Sequence, residues 1–218
     1  HVSALPDEAK QHADAVVIGE AENLWPRLLE DLEKGKLKGK YFSNEKPDLS
    51  KIPTPRRDLY YNFFSGAVQA TRGCPVGCDF CPTSKLLGRI VRKRPIKDVI
   101  EDIKSIPNKV IIFRDASLTL DIEYSKALFK AMRGLGKKWI ANGNINVLGR
   151  DEEFLRLSKE AGCIQWFVGF ESISKETLKK IHKMTNVNAV EKYGEYVRKI
   201  QKHGIAVVGG MIFGFDED

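Results

Sequence analysis

Three of the chain's four cysteines fall in one short run, Arg72-Gly-Cys-Pro-Val-Gly-Cys-Asp-Phe-Cys-Pro82, with spacing C-x3-C-x2-C. Thiolates are soft ligands that suit zinc and iron–sulfur clusters. Three on one tight loop can each take one iron of a cubane, and Gly73 and Gly77 relieve the crowding of the backbone around it. Such clusters ordinarily carry four cysteines. Here the loop supplies none for the fourth iron, which implies an external ligand. A disulfide framework belongs to secreted chains, and nothing here reads as a secretory signal. A structural zinc site closes with four ligands, usually from two paired arms. The remaining Cys163 precedes the fourth strand of the reading below and is expected at the opposite end of the sheet, as a buried small apolar residue. A zinc-stabilised binding module stands as the alternative from another functional class.

Elements must hold that loop. After a proline-bearing stretch without periodicity, apolar runs alternate with helical spacing. The pattern predicts strands at 67–71, 110–113, 139–141, 164–170 and 205–213. Helices are expected at 96–106, 122–132, 152–161 and 190–202. Strands alternating with helices imply a parallel sheet, open or closed into a barrel. Upstream, Pro6, Asp7 and Glu8 open a short helix, 14–19 is a buried-type strand, 22–34 a helix, and 37–42 an edge strand.

In parallel βα barrels, sites are built at the C-terminal ends of the strands. Those ends carry Asp115, Asn142, Asn144, Glu171, Asp216 and Glu217. A single acid after a strand is ordinarily a helix cap; several beside a cysteine loop point to a site. Asn142 and Asn144 either bind ligand or cap a turn. Trp25 and Trp166 are expected in the core, and His12, His182 and His203 on the surface.

The C-x3-C-x2-C run with Phe80 before its last cysteine, following a strand, resembles the signature of the radical SAM superfamily. The resemblance implies that Cys74, Cys78 and Cys81 hold a [4Fe–4S] cluster whose open iron is chelated by S-adenosyl-L-methionine. Reductive cleavage would then yield methionine and a 5′-deoxyadenosyl radical. In the family, the second strand ends in a motif that binds the SAM amino group. Here it reads Arg-Asp-Ala-Ser117, so only Asp115 carries over. Gly-Phe-Glu-Ser172 is similar to the segment that meets the SAM ribose, through Glu171. Gly210-Met-Ile-Phe-Gly214-Phe-Asp-Glu217 fits the family's G-x-I-x-G-x-x-E pattern, with Ile212 packing on adenine and Gly210 and Gly214 allowing close approach. Phe80, Asn142 and Asn144 complete the cofactor pocket.

The run from His1 through Glu22, with the Leu28-Leu-Glu-Asp31 helix after it, resembles the last third of a cobalamin-binding domain. The family's D-x-H-x-x-G cobalt-ligand motif is absent from this chain, so cobalamin is implied for the parent protein. The chain starts at His1 and stops at Asp218 directly after a Gly-rich strand, and reads as a fragment. The expected organisation is α/β. Residues 1–43 are the C-terminal part of a Rossmann-like cobalamin-binding domain and 44–62 a linker. Residues 63–218 are a truncated radical SAM core, the first five βα units of a partial (β/α) TIM-type barrel.

The implied activity is methylation or another C–H functionalisation of a small-molecule substrate, with a flavodoxin or ferredoxin as electron donor. A tRNA-modifying methylthiotransferase is the near alternative, prompted by the net charge of +7. That excess is spread along the chain, with one denser run at Arg89, Arg92, Lys93 and Arg94. It reads as a solvated basic loop rather than a nucleic-acid surface. No apolar run approaches the roughly 20 residues of a membrane span, and a cytoplasmic location is expected.

Overall fold

The computed structural model describes residues 2–59 and 65–215. His1, Asp216 and Glu217 therefore lie outside the described residues. The chain divides into two compact units, 1–53 and 54–218.

The first unit contains α1 (Pro6–Lys10), β1 (Val16–Ile18), α2 (Trp25–Glu33) and β2 (Lys40–Phe42). The two strands pair in parallel, Val16 with Lys40 through Ile18 with Phe42. Leu24, Leu28 and Tyr41 form its core, packed by Ala15, Val17 and Leu37. The Tyr41 hydroxyl donates to Asp31 Oδ2 at 2.9 Å, tying β2 to α2. Trp25 was expected inside but is 52% exposed. The buried stripe runs through Leu24 and Leu28, one helical turn apart, and the residue next to Leu24 points about 100° away from it.

The second unit contains β3 (Gly66–Val68), β4 (Thr71–Arg72), α3 (Thr83–Leu87), β5 (Arg92–Lys93) and α4 (Ile96–Ser105). It continues with β6 (Val110–Phe113), α5 (Ile122–Met132), β7 (Lys138–Asn142), α6 (Ile145–Arg150), α7 (Glu152–Glu160) and β8 (Cys163–Glu171). Then follow α8 (Lys175–Lys180), α9 (Met184–Val187), α10 (Tyr193–Lys202) and β9 (Ala206–Met211). Strands β3, β6, β7, β8 and β9 form one sheet in that order, every pair parallel. Chain order and sheet order coincide, as in the first five βα units of a TIM-type barrel. Helix starts are set by side chains that accept orphan amides. Asp121 takes Tyr124 N, Asp151 takes Phe154 N and Ser174 takes Thr177 N.

Strand alternation sorts the two faces of this sheet. Ile111, Phe113, Trp139, Ala141, Trp166 and Val168 are buried in the main core together with Leu128, Phe129, Phe154 and Leu157 from the helices. Trp139 is its centre, with ring centroids 5.3 Å from Trp166, 5.1 Å from Phe129 and 5.5 Å from Phe113. The alternate residues Asn142, Phe167 and Gly169 face the other way, and that face carries the site.

Three expectations change in this unit. The predicted strand at 67–71 is interrupted: β3 joins the main sheet, while β4 pairs antiparallel with β5, Thr71 with Lys93 and Arg72 with Arg92. The basic run is accordingly a solvated loop only in part: Arg89 and Lys93 are exposed, but Arg94 is not. Arg94 is buried and donates to Asp102 Oδ2 at 2.9 Å and to the Gln69 carbonyl at 3.0 Å. Arg57 reaches Asp102 Oδ1 at 2.8 Å, so one buried carboxylate serves two guanidiniums. His203 is also partly buried, its Nε2 2.7 Å from Glu152.

Candidate functional site

The cysteine loop leaves the sheet through a closed neck, because β4 and β5 pair on either side of it. Gly73 opens the loop at φ +97, and a Cβ there would lie 2.1 Å from the Ile90 carbonyl oxygen. Only glycine meets both conditions. Cys74 N donates to the Gly88 carbonyl at 3.0 Å, Cys81 N to the Cys78 carbonyl at 3.1 Å, and Ser84 Oγ to the Cys74 carbonyl at 2.7 Å. These bonds turn the thiols of Cys74, Cys78 and Cys81 onto one cleft of about 800 Å³, its open mouth included. Cys78 is the most enclosed at 8% exposure, and burial pushes its thiol pKa up.

The opposite wall comes from the strand ends. Asn142, Asn144, Phe167, Gly169 and Glu171 line the cleft, joined by Phe80 from the cysteine loop. Asn144 does two things at once: its Oδ1 caps α6 by accepting Asn146 N at 2.9 Å, and it lines the cleft. Asn142 Nδ2 donates to the Asp115 carbonyl at 3.0 Å. Glu171 ends β8 where the register with β9 shifts, in the left-handed region at φ +66. A non-glycine residue held there marks a site that the surroundings over-determine. Its carboxylate folds back over Gly169, where an added Cβ would lie 2.2 Å from Oε1.

Sequence reasoning missed Lys183 and Thr185. Both line the cleft, and Lys183 Nζ lies 3.1 Å from Glu171 Oε1. Among the described lining residues these two side chains are the charged ones. A lysine in a polar helical stretch gives no sequence signal of its own. It reaches the cleft because α8 ends at Lys180 and the chain turns back beneath β8. Ser117, Leu120 and Val76 were missed as well.

Asp115, Gly210, Ile212 and Gly214 are not brought into this lining. Asp115 is 1% exposed, and its carboxylate accepts Ala70 N at 3.2 Å, Thr71 N, and Thr71 Oγ1 at 2.7 Å. It is occupied in holding the junction between β3 and β4, and Ala116 and Ser117 face the cleft in its place. Ile212 N donates to the Glu171 carbonyl at 2.9 Å, so that segment meets the site through the main chain of Glu171. Cys163 is buried at the start of β8, the far end of the sheet from the cysteine loop, and burial raises its thiol pKa.

Burial pushes Asp115 up to about 6 despite its hydrogen bonds. A carboxyl that is harder to ionise folded than unfolded favours folding while protonated and loses that contribution as pH rises from about 4 to about 6, a change of up to about 3 kcal/mol. Asp115→Asn keeps an acceptor oxygen but does not titrate. The stability difference, wild type minus D115N, is expected to fall across that window in urea titrations at successive pH values. A difference independent of pH would contradict it.

No three His, Cys, Asp or Glu side chains among the described residues converge as the ligands of a single metal ion would. The three thiols border a cleft instead. That donor set, three thiols and no fourth Cys or His in the described lining, fits a cluster with one iron left to another ligand. The rest of the wall offers amides, hydroxyls, one carboxylate and one ammonium, the partners that an amino acid joined to a nucleoside requires.

Comparison with known proteins points to one family. The family model described as the radical SAM superfamily matches residues 68–218. Bacteriochlorophyllide d C-12(1)-methyltransferase of Chlorobaculum tepidum is 33% identical over all of this chain and 50% of its own length. Bacteriochlorophyllide d C-8(2)-methyltransferase of the same organism is 31% identical over 98% of this chain and 51% of its own. The chain thus spans about half the length of the curated relatives it matches. Among solved structures, the cobalamin-dependent S-adenosylmethionine radical enzyme OxsB, with aqua-cobalamin and S-adenosylmethionine bound, superposes with a TM-score of 0.77. That match is 19% identical over 97% of this chain and 35% of that one, a likeness of fold.

Proposed function

The chain belongs to the radical SAM superfamily, and from that premise we propose that Cys74, Cys78 and Cys81 hold a [4Fe–4S] cluster beside a SAM-binding cleft. The protein is then a radical enzyme for methyl transfer or another C–H functionalisation. The observation that carries this reading is that the three thiols share one cleft with Asn142, Asn144, Glu171 and Lys183. When bound, such a cluster supplies the electron that cleaves SAM reductively.

The residues divide the remaining work. Glu171 is placed to accept ribose hydroxyls, and Lys183 to hold the SAM carboxylate, with Asn142 and Asn144 offering amide donors and acceptors. Phe80 and Phe167 present apolar surface. Asp115 acts as a positioning residue through Thr71 at the loop's neck. Gly210, Ile212 and Gly214 are assigned to the adenine side through the main-chain bond to Glu171.

Residues 1–43 are proposed to be the C-terminal part of a cobalamin-binding domain, 44–62 a linker and 63–218 the radical SAM core. The boundary between the two compact units, after residue 53, falls within that linker and supports the division. The methyltransferase relatives favour methyl transfer over methylthio transfer. The net charge prompted the nucleic-acid reading, and in its densest run Arg94 is paired with Asp102 and Lys93 with Asp121. A flavodoxin or ferredoxin is the proposed electron donor and a small molecule the proposed substrate. No helix among the described residues is long and apolar enough to cross a membrane. We place the reaction in the cytoplasm, where thiols stay reduced.

Anaerobic reconstitution of the full-length protein with iron and sulfide, followed by dithionite and SAM, tests the proposal. Methionine and 5′-deoxyadenosine are expected. Failure to form either, or a protein that takes up zinc and no iron, would overturn it. Lys183→Ala is expected to weaken SAM binding by about tenfold, roughly 1.4 kcal/mol, with Lys183→Arg retaining most of the affinity. Unchanged affinity in K183A would remove Lys183 from the carboxylate site.

A further inference from the structure

The segment that delivers Lys183 to the cleft is fastened to the cysteine loop by a contact that the site itself does not require. Helix α8 ends with Ile181 N bonded to the Thr177 carbonyl, His182 N to the Lys179 carbonyl, and Lys183 N to the Leu178 carbonyl at 2.8 Å. The last of these closes the helix in the manner that usually places glycine at the penultimate position. Here that position is His182, at φ +55. A side chain in this conformation crowds its own backbone, so something must favour histidine over glycine.

The neighbouring cysteine loop supplies the reason. Asp79, between Cys78 and Cys81, donates its backbone N–H to the Ile181 carbonyl at 3.2 Å. Its Oδ2 lies 2.8 Å from His182 Nδ1. The main-chain bond satisfies a carbonyl left free by the helix end, and the side-chain bond fixes the imidazole against the loop. Both side chains are well exposed, at 65% and 61%. Exposed pairs contribute little to stability, so the contact's value is geometric. The residue after His182 is Lys183, whose Nζ meets Glu171 at 3.1 Å.

We propose that His182 is a positioning residue. With Asp79 it forms a clasp that sets the distance between the cysteine loop and the Glu171–Lys183 pair, and so aligns cluster and SAM sites. This inference rests on the cluster reading above. It adds a side-chain link, beside the main-chain bond from Asp79 to Ile181, between two segments about a hundred residues apart in sequence.

His182→Gly separates positioning from folding, because glycine relieves the left-handed backbone while deleting the imidazole. The full-length protein carrying H182G is expected to melt at or above the wild-type temperature. It should nonetheless bind SAM about tenfold more weakly, the scale seen when groups that orient a metal site's ligands are lost. The SAM-induced change in the EPR spectrum of its reduced cluster should be diminished. Asp79→Ala should reproduce the binding and EPR defects, and the D79A/H182G double variant should be no worse than either single one. His182→Asn tolerates the left-handed conformation and offers an amide N–H in place of Nδ1–H, so it should restore the wild-type spectrum. A wild-type cluster together with H182G and D79A variants that keep its SAM affinity and spectrum would overturn the clasp and leave the cluster reading intact. Absence of a cluster in the wild type would overturn both.

Discussion

Cys78→Ala is expected to abolish both cluster retention and 5′-deoxyadenosine formation, with Cys74→Ala and Cys81→Ala doing the same. The cleft offers three thiols and no spare Cys or His among its described lining residues, so no side chain of that kind can take a lost ligand's place. Cys78 is also the most enclosed of the three. The control is Cys163→Ala. That thiol is buried at the opposite end of β8 and contacts only the Gln165 carbonyl among its described polar partners, at 3.7 Å. C163A should therefore keep full iron and sulfide content, with a stability cost of about 1 kcal/mol for the lost buried atom. Iron and sulfide analysis with EPR of the reduced protein checks both. A C78A protein with wild-type cluster content, or a C163A protein without a cluster, would reverse the assignment of ligands.

Trp139→Ala is expected to cost about 3–5 kcal/mol of stability, the range for removing a buried aromatic ring. Trp139 is fully buried and packs against Phe113, Phe129 and Trp166. Its Nε1 donates to the Ala161 carbonyl at 3.0 Å, satisfying the end of α7. Alanine opens a cavity between β7 and the helices and leaves that carbonyl unpaired, two costs that add. For a chain of this size the melting temperature should fall by roughly 6–20 °C. Trp139→Phe should lie between, since it keeps most of the ring volume and loses the hydrogen bond. A loss below about 1 kcal/mol in W139A would mean that the aromatic cluster is not the centre of the core.

Much of this is legible in the sequence. Three thiols at C-x3-C-x2-C are a local feature, because a loop of that length can only bring them together. The helices at 122–132 and 152–161 and the strand at 110–113 show enough residues to display their period, and the structure places them there or within a residue. Elements shorter than two helical turns had too few positions to reveal a period. For that reason α3, α6, α8 and α9 escaped, as did the two-residue strands β4 and β5.

The site's second half depended on contacts between distant parts of the chain. Nothing local distinguishes Lys183 from the lysines around it; its role follows from where α8 ends and from Glu171 lying 3.1 Å away. Asp115 sits at a strand end, as the reading required. A turn of the backbone nevertheless aims its carboxylate at the amides of Ala70 and Thr71 rather than at the cleft. Arg94 is one more charge in a basic run by sequence, yet in the fold it pairs with the buried Asp102. His182 looked like a surface residue, and it is exposed, but its Nδ1 meets the loop that carries the cysteines. The donor set and the alternation of strands and helices follow from local sequence, because ligand spacing and periodicity are properties of neighbouring residues. Which charges face the cleft follows from packing, since a side chain's direction depends on the elements around it.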